Sequence, residues 1–563
     1  MYYNELNKAY AELTAPGQPF EIEEVLVRGH RIKAYKNAPA NLRAFWLASA
    51  AFGANEYIVY ENERITYAEA HAQTAAFAAW LQAQGVKSGD RVAIAMRNYP
   101  EWMLVYWACV SIGVAAVGFN AWWVGEELAY AMKDSAPKVV VCDHERFERL
   151  HAQPEVANAA KVVLVRADTN APGVIRWADT IANRAPMPEV DVDPDSDACI
   201  FYTSGTTGHP KGAQLTHRGC LNNLMSLLFS GAVQGLALQR GTNTEAVTPP
   251  LPVAIATTPL FHVTANNCVA YAVTAQGGKL VLMYKWDPSE ALKLIAQERA
   301  TTLSGVPTMS RELIAHPDYK KYDTSSLLQM GGGGAALQPD LVDKIATQSG
   351  GARPNTGYGL TETCGIITSV SGEFFVGKPA SCGLVMPDYD VKCVDESGQA
   401  VPPGESGEIW VRGAQVIKGY LNRPEATAEA ITDGWFHTGD IGRIDEDRFI
   451  FLVDRKKDMV LRGGENVYCA EVEAALYRHP AVAECVAFGV PDERLGEEVG
   501  AAVVLRPGFH ATAGELRDEA SHHVSRHKVP RYMWLLHDPL PRNANGKFLK
   551  RELRQSLPLS EAH

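Results

Sequence analysis

Between residues 202 and 212 the chain reads Tyr202-Thr203-Ser204-Gly205-Thr206-Thr207-Gly208-His209-Pro210-Lys211-Gly212. The segment follows the apolar run 198–202, a pattern that predicts a loop directly after a β-strand. Glycines let a backbone approach an anion closely, the hydroxyls supply hydrogen-bond donors, and Lys211 supplies positive charge. The order differs from that of the Walker loop, in which Gly-Lys-Ser/Thr opens a helix. We therefore predict a phosphate-binding loop and not a flexible polar surface loop.

Strand-like and helical patterns alternate on both sides of this loop, through residues 1–350. Such alternation is typical of α/β layers with largely parallel strands. Between residues 376 and 412 the apolar residues alternate loosely around turn signals, which predicts a small antiparallel unit. The predicted strands include 91–95, 138–142, 279–283 and 449–453, and the predicted helices include 125–135 and 288–299.

A domain boundary is predicted at the charged run 454–458, which follows the apolar strand 449–453. Residues 1–454 then form a large N-terminal domain. Residues 455–563 form a small α+β domain with helices 470–478 and 514–526 and strands 484–490 and 500–505, and this is a normal size for an independent domain.

The bulk composition excludes several classes of protein. The 563 residues carry a formal charge of −12, which argues against nucleic-acid binding as the main function. Ten cysteines occur singly without metal-ligand spacing, and the N-terminus lacks the pattern of a secretory signal, so we expect reduced thiols and a cytoplasmic location. The apolar run 102–119 approaches the length of a membrane span. We interpret it as a buried helix followed by a buried strand, and peripheral membrane contact stays open.

Further motifs follow in a fixed order. The chain contains Gly331-Gly332-Gly333-Gly334-Ala335-Ala336, Asn355-Thr356-Gly357-Tyr358-Gly359-Leu360-Thr361-Glu362-Thr363, Trp435-Phe436-His437-Thr438-Gly439-Asp440 and Asp454-Arg455-Lys456-Lys457. Together with the 202–212 segment, this series resembles the acyl-adenylate-forming superfamily, which includes acyl-CoA synthetases, coumarate–CoA ligases, luciferases and peptide-synthetase adenylation domains. The resemblance extends from about Tyr60 to Arg554. One departure from the usual pattern is Ala336, where the family has a proline.

The resemblance implies a site for ATP and Mg²⁺. In the family, the residue matching Tyr358 stacks on adenine, Thr361 lies near the α-phosphate, Glu362 helps to hold Mg²⁺, and Asp440 and Arg455 contact the ribose. A carboxylate is chemically apt for a diol and for a hard cation. The ATP-binding set expected from the resemblance is Thr203, Ser204, Gly205, Thr206, Thr207, Gly208, Lys211, Gly334, Ala335, Ala336, Gly357, Tyr358, Gly359, Thr361, Asp440, Arg455 and Lys547.

The C-terminal motifs imply a moving domain. Lys457 matches the family's hinge position, and Gly463, Gly464 and Glu465 match the loop that shapes the channel for coenzyme A. Lys547, within Pro541-Arg542-Asn543-Ala544-Asn545-Gly546-Lys547, matches the catalytic lysine. Because Lys550 and Arg551 begin a helical pattern, we expect both of them to be solvated.

The segment Pro259-Leu260-Phe261-His262-Val263-Thr264 resembles the family segment that carries an aromatic pair at the acyl pocket, so an acyl pocket is expected at Phe261, His262 and Val263. His262 could gate the acid, although a histidine beside apolar residues is also typical of a packed core. The apolar neighbours and the absence of a receptor for an α-amino group favour an apolar acid. The pair Trp122 and Trp123 is less standard. It narrows a pocket, lines an interface or belongs to the core.

The sequence thus predicts an ATP-dependent acyl-CoA ligase with Lys547, Lys211 and His262 as catalytic residues. Its partners are a carboxylic acid (medium- or long-chain fatty, aryl-alkanoic or alicyclic), ATP and CoA. The alternatives are an acyl-AMP ligase that loads a carrier protein and a non-catalytic nucleotide-binding protein. The sequence does not identify the acid, and it leaves a monomer and a homodimer open.

Overall fold

The computed structural model of the chain describes residues 2–156, 158–168, 171–203, 209–243, 249–335, 337–463, 465–543 and 546–563. These residues divide into two compact units. The large unit consists of Met1–Val391 and Val411–Phe436, and the small unit consists of Lys392–Trp410 and His437–His563. The predicted boundary at 454/455 falls inside the small unit, at the end of the strand Phe449–Arg455, and stays a prediction.

The first sheet of the large unit contains the strand that leads into the predicted phosphate loop. Its neighbouring strands are parallel except at one edge, where Lys211–Thr216 runs antiparallel to Asp197–Thr203. Among the described residues its strands are, in order across the sheet, Lys211–Thr216, Asp197–Thr203, Ala115–Gly118, Arg91–Ala95, Val139–Cys142, Lys161–Leu164 and Val174–Arg176.

A second sheet of the large unit carries the glycine-rich and Tyr358 motifs. Its central strands are parallel, and antiparallel strands lie at both ends. In order, the described strands within the large unit are Gly383–Val385, Gly365–Ser371, Arg353–Leu360, Gln329–Gly333, Thr302–Gly305, Val253–Ala256, Lys279–Leu282, Glu56–Tyr60 and Glu63–Thr66. An N-terminal hairpin, Ile22–Val27 with His30–Tyr35, is separate.

Helices accompany both sheets of the large unit, as the alternating pattern predicted. Several of them begin at a side chain that caps the first backbone N–H groups, such as Thr66, Asp143, Thr216 and Asp287. Their bounds are Tyr2–Leu13, Leu42–Ala48, Tyr67–Ala83, Pro100–Ser111, Gly125–Ser135, His144–His151, Trp177–Ile181, His217–Thr242, Tyr271–Ala275, Pro288–Glu298, Pro307–Ala315, Pro339–Gln348, Gly372–Gly377 and Pro424–Ala430, with a π-helix at Thr264–Ala270.

The apolar run 102–119 is buried in the core, as expected. It forms the helix Pro100–Ser111 and the strand Ala115–Gly118, and all side chains of this helix are buried. A different helix, His217–Thr242, is long and apolar enough to cross a membrane, but 56 % of its most apolar window is buried inside the protein. A buried core helix passes the same test, so this helix is weak evidence for membrane insertion.

The small unit is an α+β structure. The strand Phe449–Arg455 pairs antiparallel with the C-terminal part of Trp435–Ile444. The long strands Val482–Asp492 and Gly496–Leu505 form a hairpin, and Tyr532–Leu536 adds a parallel strand. Its other described elements are the strands Val460–Arg462 and Glu465–Val467 and the helices Cys469–Leu476, Ala513–Ser521 and Lys550–Ser556.

The chain passes between the two units within the strands Tyr389–Val394, Gly407–Gly413 and Trp435–Ile444. One predicted element of the small unit is too long. The helix expected over 514–526 ends at Ser521, and a 3₁₀ turn follows at Arg526–Lys528. Residues 522–525, which are two histidines, a valine and a serine, have low helix propensity, and this accounts for the end of the helix at Ser521.

Candidate active site

The two ends of the predicted phosphate loop lie opposite each other. Thr203 ends one strand, Lys211 begins the next, and the two residues are register partners in the antiparallel pair. The hairpin therefore fixes the backbone on both sides of the glycine- and hydroxyl-rich segment. Ser204, Gly205, Thr206, Thr207 and Gly208 lie outside the described residues.

Glu362 reaches this hairpin from a distant part of the chain. It lies in a short 3₁₀ turn, Thr361–Thr363, and is 9 % exposed. The Thr203 hydroxyl donates to Glu362 Oε1 at 3.4 Å, across 159 residues of sequence. Thr361, the residue before it, is also buried. The fold thus brings Thr203, Lys211 and Glu362 together, as the resemblance implied.

Tyr420 completes this group, although no sequence motif predicted it. Its hydroxyl donates to Glu362 Oε1 at 2.9 Å, and Lys211 Nζ lies 4.6 Å from the centre of its ring. Burial, followed by the nearby Glu362 carboxylate, raises the pKa of Tyr420 well above its ordinary value, so its hydroxyl stays a donor. Nothing in Lys418-Gly419-Tyr420-Leu421 relates it by spacing to Glu362. Only the folded chain reveals the contact.

The glycine run 331–334 begins inside a strand. Gly331 to Gly333 belong to the strand Gln329–Gly333, and only Gly334 and Ala335 lie beyond it, while Ala336 is outside the described residues. A Cβ on Gly331 would lie 2.0 Å from the Asn355 carbonyl oxygen, and one on Gly332 would lie 2.4 Å from the Gly305 carbonyl oxygen. Close packing of neighbouring strands accounts for these two glycines. Contact between Gly334 or Ala335 and adenosine stays a prediction.

Tyr358 lies on the strand Arg353–Leu360, between Gly357 and Gly359, and is buried. A Cβ on Gly359 would overlap the Gly365 carbonyl oxygen at 1.7 Å, so this strand packs tightly against Gly365–Ser371. The aromatic ring is thereby held on a rigid strand and not on a loop. Its stacking on adenine stays a prediction.

The expected acyl-pocket residues lie where a turn leads into an irregular helix. Phe261 and Val263 are buried, whereas His262 is partly exposed. His262 Nδ1 is 3.2 Å from the Thr264 hydroxyl, at the start of the π-helix Thr264–Ala270. Short π-helices occur frequently at functional sites. This contact restrains the ring of His262, and both the acyl pocket and the gating role stay predictions.

The two tryptophans separate into different environments. Trp123 is buried, with its ring centre 5.5 Å from that of Tyr202, so it belongs to the core. Trp122 is 46 % exposed, and the guanidinium of Arg97 lies 5.2 Å from its ring centre. Core packing therefore explains Trp123, whereas Trp122 lies at the surface.

The small unit carries the second group of expected ATP residues. Asp440 and Arg455 are cross-strand partners, with Arg455 Nε 3.2 Å from Asp440 Oδ1. Asp440 is 5 % exposed, and its backbone N–H donates to the Thr438 hydroxyl at 3.1 Å. A fixed carboxylate beside a guanidinium suits a polar diol, as the resemblance implied.

Lys457 follows the strand that carries Arg455. It is exposed within a turn, and its neighbour Lys456 pairs with Glu408 at 3.1 Å. The CoA-channel residues Gly463 and Glu465 lie at the tip of the hairpin formed by Val460–Arg462 and Glu465–Val467, while Gly464 is outside the described residues. Neither the hinge role nor the channel role is tested by this geometry.

Lys547 lies at the end of a closed turn. Its N–H donates to Asn543 Oδ1 at 3.0 Å, and Asn543 N–H donates back to the Lys547 carbonyl at 2.9 Å. Gly546 has a φ of 76°, a backbone conformation that glycine adopts without strain. These contacts agree with the turn expected before Lys547, while Ala544 and Asn545 lie outside the described residues and the catalytic role of Lys547 stays a prediction.

The expectation that Lys550 is solvated is wrong. Its side chain is 24 % exposed and pairs with Glu473 at 2.8 Å. Asp454 lies in the same group, where burial raises its pKa to about 6 although Lys550 acts in the opposite direction. The helix Lys550–Ser556 turns its first residue inward over these carboxylates, whereas Arg551 is exposed, as expected. A helical pattern alone could not identify that partner.

Within the described ranges, no group of three or more His, Cys, Asp or Glu side chains could enclose a metal ion. Mg²⁺, however, commonly takes only one or two protein carboxylates and completes its shell with phosphate oxygens and water. Glu362, one buried carboxylate beside Lys211 and hydroxyl groups, fits that smaller requirement.

Comparison with known proteins identifies the family of the chain. The family described as "AMP-binding enzyme" matches residues 45–421, and its C-terminal domain family matches residues 471–547. A feruloyl-CoA synthase of Amycolatopsis is 37 % identical over 87 % of this chain and 94 % of its own length. A long-chain-fatty-acid–CoA ligase of Bacillus subtilis is 32 % identical over 90 % of this chain and 92 % of its own. The ATP-bound structure of MatB from Rhodopseudomonas palustris has a TM-score of 0.80 and 30 % identity, covering 92 % and 99 % of the two chains.

Proposed function

Because the chain belongs to the AMP-binding enzyme family, and its relatives include named CoA ligases, we propose that it joins an apolar carboxylic acid to coenzyme A at the expense of ATP. The resemblance to the acyl-adenylate-forming superfamily is confirmed by the family match. The observation that carries the proposal is the convergence of Thr203, Lys211 and Glu362 across 159 residues of sequence.

The reaction has two steps. A carboxylate oxygen of the acid attacks the α-phosphorus of ATP, and the bond to pyrophosphate breaks, which gives an acyl-adenylate. The sulfur of coenzyme A then attacks the acyl carbonyl carbon, and the bond to the AMP oxygen breaks. Adenylation supplies a good leaving group, and the protein contributes positioning and charge neutralisation.

The large unit binds the phosphates in this proposal. Lys211 neutralises phosphate charge, Thr203 and the neighbouring loop donate hydrogen bonds, and Tyr358 stacks on adenine. Glu362 would hold Mg²⁺, which, when bound, offsets the negative charge of the phosphate oxygens. His262 closes the acyl pocket beside Phe261 and Val263.

The small unit contributes the remaining groups. Asp440 accepts hydrogen bonds from both ribose hydroxyls, and Arg455 holds Asp440 in place and contacts the ribose. Lys547 provides an ammonium for the charge that develops in the first step. Lys457 is the hinge between the half-reactions, and Gly463 and Glu465 shape the channel for coenzyme A.

The acid is an uncharged, mostly apolar monocarboxylic acid. Support comes from the buried Phe261 and Val263 beside His262, and from relatives named feruloyl-CoA synthase and long-chain-fatty-acid–CoA ligase. Burial of one CH₂ is worth about 0.8 kcal/mol, so affinity rises with chain length or ring size until the pocket is full. We also propose a cytoplasmic enzyme, either monomeric or a homodimer.

The test is a panel of acids that vary in length and ring content, assayed for ATP–pyrophosphate exchange and for CoA thioester. We expect both activities with medium- or long-chain, aryl-alkanoic or alicyclic acids. Faster turnover with acetate or an α-amino acid than with every larger apolar acid would contradict the apolar assignment. Exchange together with AMP release on a carrier protein but not on CoA would identify the carrier-loading alternative. No exchange with any acid would favour the non-catalytic alternative.

A further inference from the structure

Tyr420 makes two contacts that converge on the phosphate-binding group. Its side chain is 8 % exposed, its hydroxyl donates to Glu362 Oε1 at 2.9 Å, and its ring lies beneath Lys211 Nζ at 4.6 Å. One aromatic side chain thus contacts both of the charged residues to which the proposed function assigns the handling of ATP phosphates in the large unit.

The backbone holds Tyr420 against the strand that begins with Lys211. Tyr420 forms an antiparallel bridge with Ala213, and the next residue, Leu421, donates its N–H to the Gly212 carbonyl at 2.8 Å. The Tyr420 N–H donates to the Thr427 hydroxyl at 2.9 Å. The ring has little freedom to move relative to Lys211, so it can serve as a fixed reference for both charged groups.

Two hydrogen bonds to the same carboxylate oxygen, Oε1, orient the side chain of Glu362. The donors Tyr420 and Thr203 both contact Oε1, at 2.9 and 3.4 Å. An ionised carboxylate has about four acceptor sites on two oxygens. Among the described residues, the side-chain hydrogen bonds to Glu362 go to Oε1, which fixes the plane of the carboxylate, and Oε2 is left for a hard cation.

The ring acts on Lys211 by a separate mechanism. The face of an aromatic ring is negative, and it attracts an ammonium within about 6 Å of its centre. This contact restrains a long side chain that otherwise has many rotamers, without neutralising its charge. Lys211 thereby stays available to an anion.

We propose that Tyr420 is a positioning residue: its hydroxyl orients Glu362 towards a divalent cation bound with ATP, and its ring restrains Lys211 for the phosphates. The inference rests on the proposed function, since it assigns Glu362 to the cation and Lys211 to ATP. Neither effect requires Tyr420 to contact the substrate.

The first test measures cation affinity directly. Mn²⁺ is added to the full-length protein saturated with α,β-methylene-ATP, whose bridge between the α- and β-phosphorus cannot be cleaved, and free Mn²⁺ is counted by electron paramagnetic resonance. Tyr420→Phe keeps the ring and removes the hydroxyl. A hydrogen bond to a charged group is lost, so we expect the dissociation constant for Mn²⁺ to rise by about tenfold.

Tyr319→Phe is the matched control, because it removes another buried tyrosine hydroxyl, which donates to the Ser349 carbonyl at 3.1 Å. A role in stability alone would lower the melting temperature of both variants and leave Mn²⁺ affinity unchanged. If Tyr420→Phe binds Mn²⁺ as the wild type and Tyr319→Phe do, the positioning of Glu362 is disproved.

Glu362→Gln separates this inference from the proposed function. We expect it to weaken Mn²⁺ binding more than Tyr420→Phe does. If Glu362→Gln binds Mn²⁺ normally, the assignment of Glu362 in the proposed function is wrong. If Glu362→Gln weakens binding and Tyr420→Phe does not, only the inference on Tyr420 fails.

The ring is tested by Tyr420→Leu. Compared with Tyr420→Phe, we expect a further severalfold rise in the KM for ATP in pyrophosphate exchange, because leucine provides no ring face for Lys211. Equal KM values for the leucine and phenylalanine variants would overturn the restraint of Lys211. The melting temperatures of both variants show whether each is folded at the assay temperature.

Discussion

Arg455 Nε lies 3.2 Å from Asp440 Oδ1, and the two residues face each other on paired strands of the small unit. They are separated by a hairpin turn, so the pairing of two strands creates the contact. The buried carboxylate is held in one orientation by the partly exposed guanidinium. A preorganised acceptor of this kind suits the two hydroxyls of a ribose.

Asp440→Ala should raise the KM for ATP by about 10- to 100-fold, because it removes an ionised acceptor of two hydrogen bonds. The KM is measured by pyrophosphate exchange. Glu446→Gln, at an exposed position of the same hairpin, is the control and should change little. An unchanged KM in Asp440→Ala would show that Asp440 does not bind the nucleotide.

Lys547→Ala should slow acyl-adenylate formation by about 10²–10³ and largely spare thioester formation from supplied acyl-adenylate, since a fixed ammonium stabilises the charge that builds up in the first step. The two half-reactions are measured separately. Arg551→Ala, which removes an exposed cation close in sequence, is the control, whereas Lys550 is unsuitable because it is paired with Glu473. If both half-reactions slowed equally, the assignment of Lys547 to the first step alone would be wrong.

Lys550→Ala should instead destabilise the small unit. It leaves Glu473 without its cation and removes positive charge near Asp454, which costs about 1–3 kcal/mol. The measurement is denaturant unfolding, with Arg551→Ala expected to stay within about 0.5 kcal/mol of the wild type. If the two variants unfold alike, the ion pair contributes nothing to stability.

Lys457→Pro should stop thioester formation while adenylate formation continues, because proline fixes φ at the hinge position. Within the part of the chain that the structure describes, the Lys457 N–H makes no backbone hydrogen bond that proline would remove. Lys457→Ala, which keeps backbone freedom, should retain both half-reactions. The hinge assignment is wrong if proline abolishes both half-reactions equally.

Asp388 should make the large unit less stable as pH rises. It is fully buried, accepts from Ser226 and Gln415 at 2.9 Å each, and lies near Tyr35 and Lys33, and burial raises its pKa to about 7. The folded state therefore holds a proton that the unfolded state, with a pKa near 4, releases. The contribution of Asp388 to the free energy of unfolding is fully present below the unfolded pKa and is lost as pH rises through about 7.

Relative to Asp388→Asn, the wild type should lose about 2–3 kcal/mol of unfolding free energy between pH 5 and pH 8. Unfolding of both proteins at several pH values measures this difference. Asp343→Asn, at an exposed position, is the control and should follow the wild type. A constant difference between wild type and Asp388→Asn across this range would show that Asp388 keeps the same charge throughout.

The sequence alone determined the elements and the chemistry of the principal motifs. Strand and helix positions such as Arg91–Ala95 and Gly125–Ser135 follow from apolar spacing and turn residues, which act over a few neighbours. The phosphate-binding character of the segment before Lys211 was evident from its hydroxyls and glycines, and the turn before Lys547 from Asn545-Gly546, whereas the roles expected of Glu362 and Lys547 came from the resemblance to the family.

Tertiary structure alone decided which distant residues meet. It placed Tyr420 on Glu362 and Lys211, paired Lys550 with Glu473, and packed Gly331 and Gly332 against neighbouring strands. It also separated the buried Trp123 from the exposed Trp122. The reason is physical: residue type fixes what a side chain can bind, whereas its burial, charge partner and orientation depend on segments far away in sequence that pack against it.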